Sequence, residues 1–271
     1  MIGRDRTTER LWISDGTQRG TRFVDFTTAG VRSPRTLTVA HGEIFFAGSG
    51  ANGLEPWVSD GTQSGTRRLA DIEPGSGASF PGDFAAVSVG GARIVTFAAQ
   101  TRAFGRELYG YDGTTVRRLS DSLPGPQPGY QGPVASLPGR LLYSGYDPSA
   151  GIELFESDGT VSGTRLLADL AAPRPGATAG STPRSIGTLA NGDQLWAASD
   201  TLAARTLWRT DGPMQNTRRP TSRSVSGGNA RGATLGAVTV FTASDPQHGF
   251  EPWVTDGSVA GTKILLDVVP G

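Results

Sequence analysis

Four glutamates stand at one repeated position: Glu55, Glu107, Glu153 and Glu251, each two residues before an aromatic and five before an Asp-Gly pair. Two carboxylates flanking one bond can share the acid and base roles of glycoside hydrolysis. These four are symmetry equivalents in successive repeats, however, and an active site normally breaks the symmetry of its scaffold. Alternation along a strand puts Glu and aromatic on one face, so a cross-strand partner such as an arginine is the expected role. Aspartates recur as well, at Asp15, Asp60, Asp112, Asp158, Asp211 and Asp256. A calcium ion takes about six to eight oxygens, usually from several carboxylates, and each Asp-Gly-Thr loop offers one. An Asp that bonds its own backbone two residues on, beside a Gly at positive φ, specifies a tight turn instead.

Three further sets could carry chemistry. The aromatics Trp12, Trp57, Tyr109, Phe155, Trp208 and Trp253 lie three residues before each Asp. They could form sugar-stacking platforms, but an aromatic at a fixed strand position between covered faces is expected to pack between sheets. A cation follows the second Thr position in all six copies: Arg22, Arg67, Arg117, Arg165, Arg218 and Lys263. On an outermost strand such charges discourage edge-to-edge pairing, with Asp25, Asp71, Asp121, Asp169 or Asp267 nearby to neutralise them. His41 and His248 are the only histidines and neither belongs to a spaced ligand motif. No Ser–His–Asp order, phosphate loop or dinucleotide fingerprint stands in a strand–helix setting. The expectation is no catalytic residue, no cofactor and no metal site.

The elements that must position these residues follow from the repeat. Successive aspartates are 45, 52, 46, 53 and 45 residues apart, the period of four-stranded propeller blades. In the second copy, 35–40 and 43–47 read as strands joined at His41-Gly42, followed by the Glu55 strand and the Thr66 strand. The same order recurs at 83–89, 93–98, 107–111 and 116–119, and at 133–137, 141–146, 153–157 and 164–168. The fifth copy, 184–189, 194–198, 206–210 and 217–219, is degraded by Pro213 and Pro220; the sixth runs 233–237, 238–243, 251–255 and 262–266. Residues 1–30 supply only a Trp12 strand, a turn at Asp15-Gly16 and a strand over 21–25. The fold expected is all-β, a β-propeller of four-stranded antiparallel blades: five complete blades plus an N-terminal half-blade, a ring of five or six. Residues 1–271 would form one domain of six tandem repeats: either a partial chain whose two missing strands lie elsewhere, or a ring closed on five complete blades with residues 1–30 as an addition.

Glu55-Pro-Trp-Val-Ser-Asp-Gly-Thr-Gln-Ser-Gly-Thr66, with Asp71-Ile-Glu-Pro-Gly75 and Asp267-Val-Val-Pro-Gly271, resembles the ELWxxDGT repeat family of bacterial proteins. The resemblance covers nearly the whole chain. It implies a propeller-like fold on secreted or cell-surface proteins and brings no catalytic residues with it. The Asp-Gly spacing differs from the Asp-box of sialidase-type propellers, in which a residue separates Asp from Gly.

Zero net charge, from 25 basic and 25 acidic residues, argues against bulk attraction to nucleic acid or an anionic membrane. Absence of cysteine removes disulfides and thiol chemistry. No apolar run reaches membrane-span length, and Met1-Ile-Gly-Arg-Asp-Arg-Thr-Thr lacks the apolar core of a signal peptide. The function expected is a non-enzymatic scaffold that binds a protein or glycan partner through loops at one end of the propeller: 48–53, 100–105, 147–151, 200–205 and 245–249. Two alternatives stand beside it. One is a polysaccharide-acting hydrolase or lyase with an axial site, although the innermost strands read small and apolar. The other is a purely structural segment of a longer surface protein.

Overall fold

The computed structural model describes residues 1–5, 8–24, 26, 29–171, 180–199, 205–211, 216–219 and 232–268. Among them there are 22 strands and no α-helix. The strands form six antiparallel sheets, each a meander in chain order. The first holds β1 (Ile2–Asp5), β2 (Thr8–Ile13) and β3 (Arg22–Phe23). The second holds β4 (Arg32–Ala40), β5 (Glu43–Gly50), β6 (Gly53–Ser59) and β7 (Arg67–Arg68). The third holds β8 (Gly82–Val89), β9 (Ala92–Thr101), β10 (Gly105–Tyr111) and β11 (Val116–Arg118). The fourth holds β12 (Tyr130–Leu137), β13 (Arg140–Asp147), β14 (Gly151–Ser157) and β15 (Arg165–Ala168). The fifth is β16 (Arg184–Thr188), β17 (Gln194–Ser199) and β18 (Arg205–Thr210). The sixth is β19 (Ala233–Leu235), β20 (Val238–Asp245), β21 (Gly249–Thr255) and β22 (Lys263–Ile264).

Two compact units divide the chain: Met1–Gly129 with Gly159–Val161, and Tyr130–Asp158 with Ser162–Gly271. In the first unit, the side-chain period of two sends neighbouring residues of β6 to opposite faces. Trp57 joins Leu11, Val24, Phe26, Val31 and Phe46 between the first and second sheets. Val58 joins Phe45, Phe84, Phe97 and Tyr109 between the second and third. Because both faces of the second sheet are covered, its middle strand β5 is buried without a break from Phe45 to Gly48. Each buried ring of this kind contributes about 2 kcal/mol.

In the second unit, Val134, Leu142, Leu154 and Leu170 pack on Trp196 and Ala198. Ile186, Leu195 and Leu207 pack on Phe241 and Trp253. The first strands of neighbouring sheets also touch, β4 with β8 in one unit and β12 with β16 in the other. Each of these four first strands carries a register shift against its neighbour. Ser33 and Thr36 on β4, and Asp83 on β8, take left-handed φ values of 48°, 51° and 55° at these irregularities. Left-handed backbone is uncommon for residues other than glycine, and the bulge geometry holds it here.

Several strand expectations need correction. Residues 1–30 hold three strands, not a half-blade pair: β1 pairs with β2 from Ile2↔Leu11 to Asp5↔Thr8, and the Met1 amino group donates to the Trp12 carbonyl at 2.8 Å. The outermost strands are shorter than expected, two residues in β7 and β22. In the fifth copy the outermost strand is reduced to one bridge, Arg209↔Arg218. The paired central strands are longer than expected, since pairing continues as far as Gly50↔Gly53 in the second sheet. Asp25, Gly212, Pro213, Pro220, residues 200–204 of the 200–205 loop, and Val269, Pro270 and Gly271 lie outside the described residues.

Candidate functional site

The Asp-Gly-Thr loops are closed by their own side chains. Asp60 Oδ1 accepts the Thr62 amide at 2.8 Å and the Thr62 hydroxyl at 2.7 Å. Asp15 repeats this with Thr17, and Asp112 with Thr114. These bonds, rather than any burial, hold the Asp60 carboxyl below its ordinary value, the Thr62 hydroxyl contributing most. Thr62 Oγ1 in turn accepts the Gly65 amide at 2.9 Å, and the Ser59 and Thr66 hydroxyls meet at 2.7 Å beneath the loop. The first glycine takes the expected positive φ, 91° at both Gly16 and Gly61. The second has a different reason to be glycine. A Cβ at Gly65 would fall 2.1 Å from the Asp60 carboxyl, and Gly20, Gly163 and Gly261 face their own aspartates in the same way.

The four glutamates are buried, from 0 to 3% exposed, and the hydrogen bonds that Glu55, Glu107 and Glu153 accept come from amides and serines rather than from the arginine expected. Glu55 accepts the Ile72 amide at 3.0 Å and the Ser79 hydroxyl at 2.7 Å. Glu107 accepts the Ser120 hydroxyl at 2.5 Å and the Gly129 amide at 3.0 Å. Glu153 accepts the Leu170 and Ser181 amides at 3.1 and 2.8 Å and also the Ser181 hydroxyl. Glu251 accepts the Val268 amide at 2.9 Å. Desolvation raises the Glu55, Glu107 and Glu153 carboxyls above their usual range, against the opposing pull of these donors.

Three of the repeated cations, Arg22, Arg67 and Arg165, make defined bonds beyond any guarding of edges. Arg22 donates to the Gly61 carbonyl of the next sheet at 3.0 Å. Arg67 donates to the Tyr111 hydroxyl at 2.7 Å, and that hydroxyl donates to the Gly113 carbonyl at 2.5 Å. Arg165 instead pairs with Glu156 at 2.7 Å. In the second unit Arg209, from β18, donates to the Gly257 carbonyl at 2.6 Å. Thus the loops of the second, third and sixth copies are each bound by a guanidinium of the preceding copy, directly or through a tyrosine. The histidines also have local partners: His41 donates from Nε2 to the Ile94 carbonyl at 3.1 Å, and His248 Nδ1 lies 2.9 Å from Asp245. Among the described residues no group of three His, Asp or Glu could hold a metal ion.

Four of the loops expected to bind a partner, 48–53, 100–105, 147–151 and 245–249, contract to tight turns, because the strands run into them. Asp147 holds its turn through the Ser149 amide and hydroxyl at 2.8 and 2.6 Å. Asp245 does so through the Gln247 and His248 amides. Nor are the first strands wholly apolar: Asp83 opens β8 and lies 3.5 Å from Arg106. A concave surface that sequence reasoning missed is a cleft of about 430 Å³ in the first unit. Ala29, Gly30, Gly50, Ala51 and Gly53 make its small-residue wall, and Asn52, Trp57, Arg67 and Arg68 bring polar and aromatic groups to it. Asn52 donates to Asp71 at 2.9 Å, and Arg68 stands 3.6 Å from the same carboxylate. Its one readable signal was the run of glycine and alanine in the second copy's turn.

No family model matches the chain, and no curated protein matches it. Among solved structures it is similar to a puromycin hydrolase, at 17% identity and a TM-score of 0.54 over 95% of this chain and 42% of that one. It is also similar to a puromycin-hydrolyzing peptidase of Mycobacterium tuberculosis, at 12% identity and a TM-score of 0.50 over 98% of this chain and 44% of that one. The β-propeller domain of the Trilobed protease from Pyrococcus furiosus matches at 13% identity and a TM-score of 0.48, over 97% and 78%. The chain thus spans less than half the length of the first two. At these identities the likeness is one of fold: an all-β chain of tandem antiparallel sheets.

Proposed function

We propose that the chain is a β-propeller scaffold of the ELWxxDGT kind, acting outside the cytoplasm, which binds a protein or glycan partner and does not transform it. The observation that carries this reading is the use made of the repeated carboxylates. Each glutamate of the motif accepts from main-chain amides or serine hydroxyls that follow it in the chain. The aspartates Asp15, Asp60, Asp112 and Asp256 each close their own turn. Groups committed in this way build a frame, and recognition is left to surfaces that differ between copies. No helix among the described residues is long and apolar enough to cross a membrane. The test immobilises the chain and offers panels of polysaccharides and peptides, reading both retained ligand and newly formed reducing ends or amino termini. Retention without products fits a scaffold; catalytic release of either product overturns it.

A further inference from the structure

One position on the outermost strand holds a ring, a cation or an aliphatic chain, depending on the copy. The residue paired with the motif aromatic across the strands is Phe23 opposite Trp12, Arg68 opposite Trp57 and Arg118 opposite Tyr109. In the first copy Arg10 lies 4.5 Å from the Phe23 ring centre, so a cation and a ring stack there. In the third, Arg118 lies 3.5 Å over the ring of Phe104, the residue just before Gly105. In the fifth, Arg219 lies 4.9 Å over Trp208. The fourth and sixth copies have aliphatic Leu166 and Ile264 opposite Phe155 and Trp253.

The second copy differs from all of these. Asn52, not an aromatic, precedes Gly53, and among the described residues no ring lies over Arg68. The cleft described above opens there, with Arg68 on its wall and Trp57 within it. The guanidinium keeps an ion pair with Asp71 at its rim. A planar guanidinium favours an aromatic face.

We propose that this cleft receives an aromatic side chain of a polypeptide partner, stacked on Arg68 as Phe104 is stacked on Arg118. The inference rests on the scaffold reading above and names the partner class. Its occupant is taken from the chain's own third copy, where the ring is supplied internally.

The test titrates the ¹⁵N-labelled chain with N-acetylphenylalanine amide and N-acetyltyrosine amide, and separately with methyl glycosides, following the Arg68 Nε–H and Trp57 Nε1–H signals. The aromatic amides are expected to shift both signals saturably. Arg68→Leu, which installs the residue type of the fourth copy, should abolish the effect. Phe104→Ala should open a second site, seen as new saturable shifts at Arg118 Nε–H. Shifts that persist in Arg68→Leu, an unresponsive Arg68, or no new site in Phe104→Ala would each overturn the proposal. A response to glycosides alone would replace it with a saccharide site. Ligand retention with a silent cleft would sink this inference only, whereas product release in the panel assay would sink the scaffold reading and leave the cleft result standing.

Discussion

The Glu55 carboxylate accepts the Ile72 amide seventeen residues downstream, and the same step joins Glu153 to Leu170 and Glu251 to Val268. The motif glutamate therefore anchors the segment that leaves each sheet. A buried carboxylate is costly unless donors meet it. Here Ser79 and Ser181 add hydroxyls to the amides. This bond spans the outermost hairpin and ties a central strand to the connection that follows.

The buried glutamates should give stability an unusual pH limb. Burial raises the Glu153 carboxyl above its ordinary 4.5 in the folded chain, so the folded state holds the proton more tightly than the unfolded one. Its stabilising contribution is complete below 4.5 and is lost as pH rises through the folded value. Asp112 has the opposite sign: the Thr115 amide first, then Thr114, hold it at about 2 against an ordinary 3.8. Its contribution is present above 3.8 and lost as pH falls toward 2. Melting midpoints across pH should show Glu153→Gln flattening the limb above 4.5 and leaving the acid limb intact. Asp112→Asn should do the reverse.

The second glycine of the motif should be intolerant because of one side chain. Gly65→Ala places a methyl on the Asp60 carboxyl and should cost about 2–3 kcal/mol, as overpacking does. Gly75, at φ 85° with nothing near, should cost only about 1 kcal/mol on the same change. In the Asp60→Ala background the Gly65→Ala penalty should shrink by about 1 kcal/mol or more, as residues in contact couple. Urea unfolding of the four variants reads this directly, and additive losses would contradict the clash.

Tyr111 should act as a relay between copies. Its hydroxyl receives Arg67 and donates to Gly113, so Tyr111→Phe should lower stability by about 1–2 kcal/mol. In an Arg67→Ala background the same change should cost clearly less. Equal losses in both backgrounds would mean that the two bonds do not cooperate.

What the sequence disclosed was mostly local. The Asp-Gly-Thr turn lies within a few residues, and an Asp bonding two residues on is a property of that short stretch. The alternation that buries Trp57 on one face and Val58 on the other is equally local. What stayed hidden was non-local. An arginine was expected opposite Glu55, whereas its donors sit on a connection seventeen or more residues away. Sequence alone makes Arg67 an edge charge, because its tyrosine lies 44 residues on, in another sheet. The second glycine's role depends on an aspartate folding back over it, which spacing alone does not reveal. The short polar β1 has no apolar alternation to announce it; pairing with β2 defines it. The cleft was missed because it arises from residues that are small, at Gly30, Gly50, Ala51 and Gly53.

The claim on which the account turns is that the repeated glutamates hold the frame. Urea midpoints of Glu55→Ala, Glu107→Ala, Glu153→Ala and Glu251→Ala, measured beside ligand retention, test it most directly. Stranding buried donors should cost about 3 kcal/mol in Glu153→Ala, and every variant should lose stability. A variant that keeps the wild-type midpoint yet loses ligand would make its glutamate a recognition or reacting group and contradict the account.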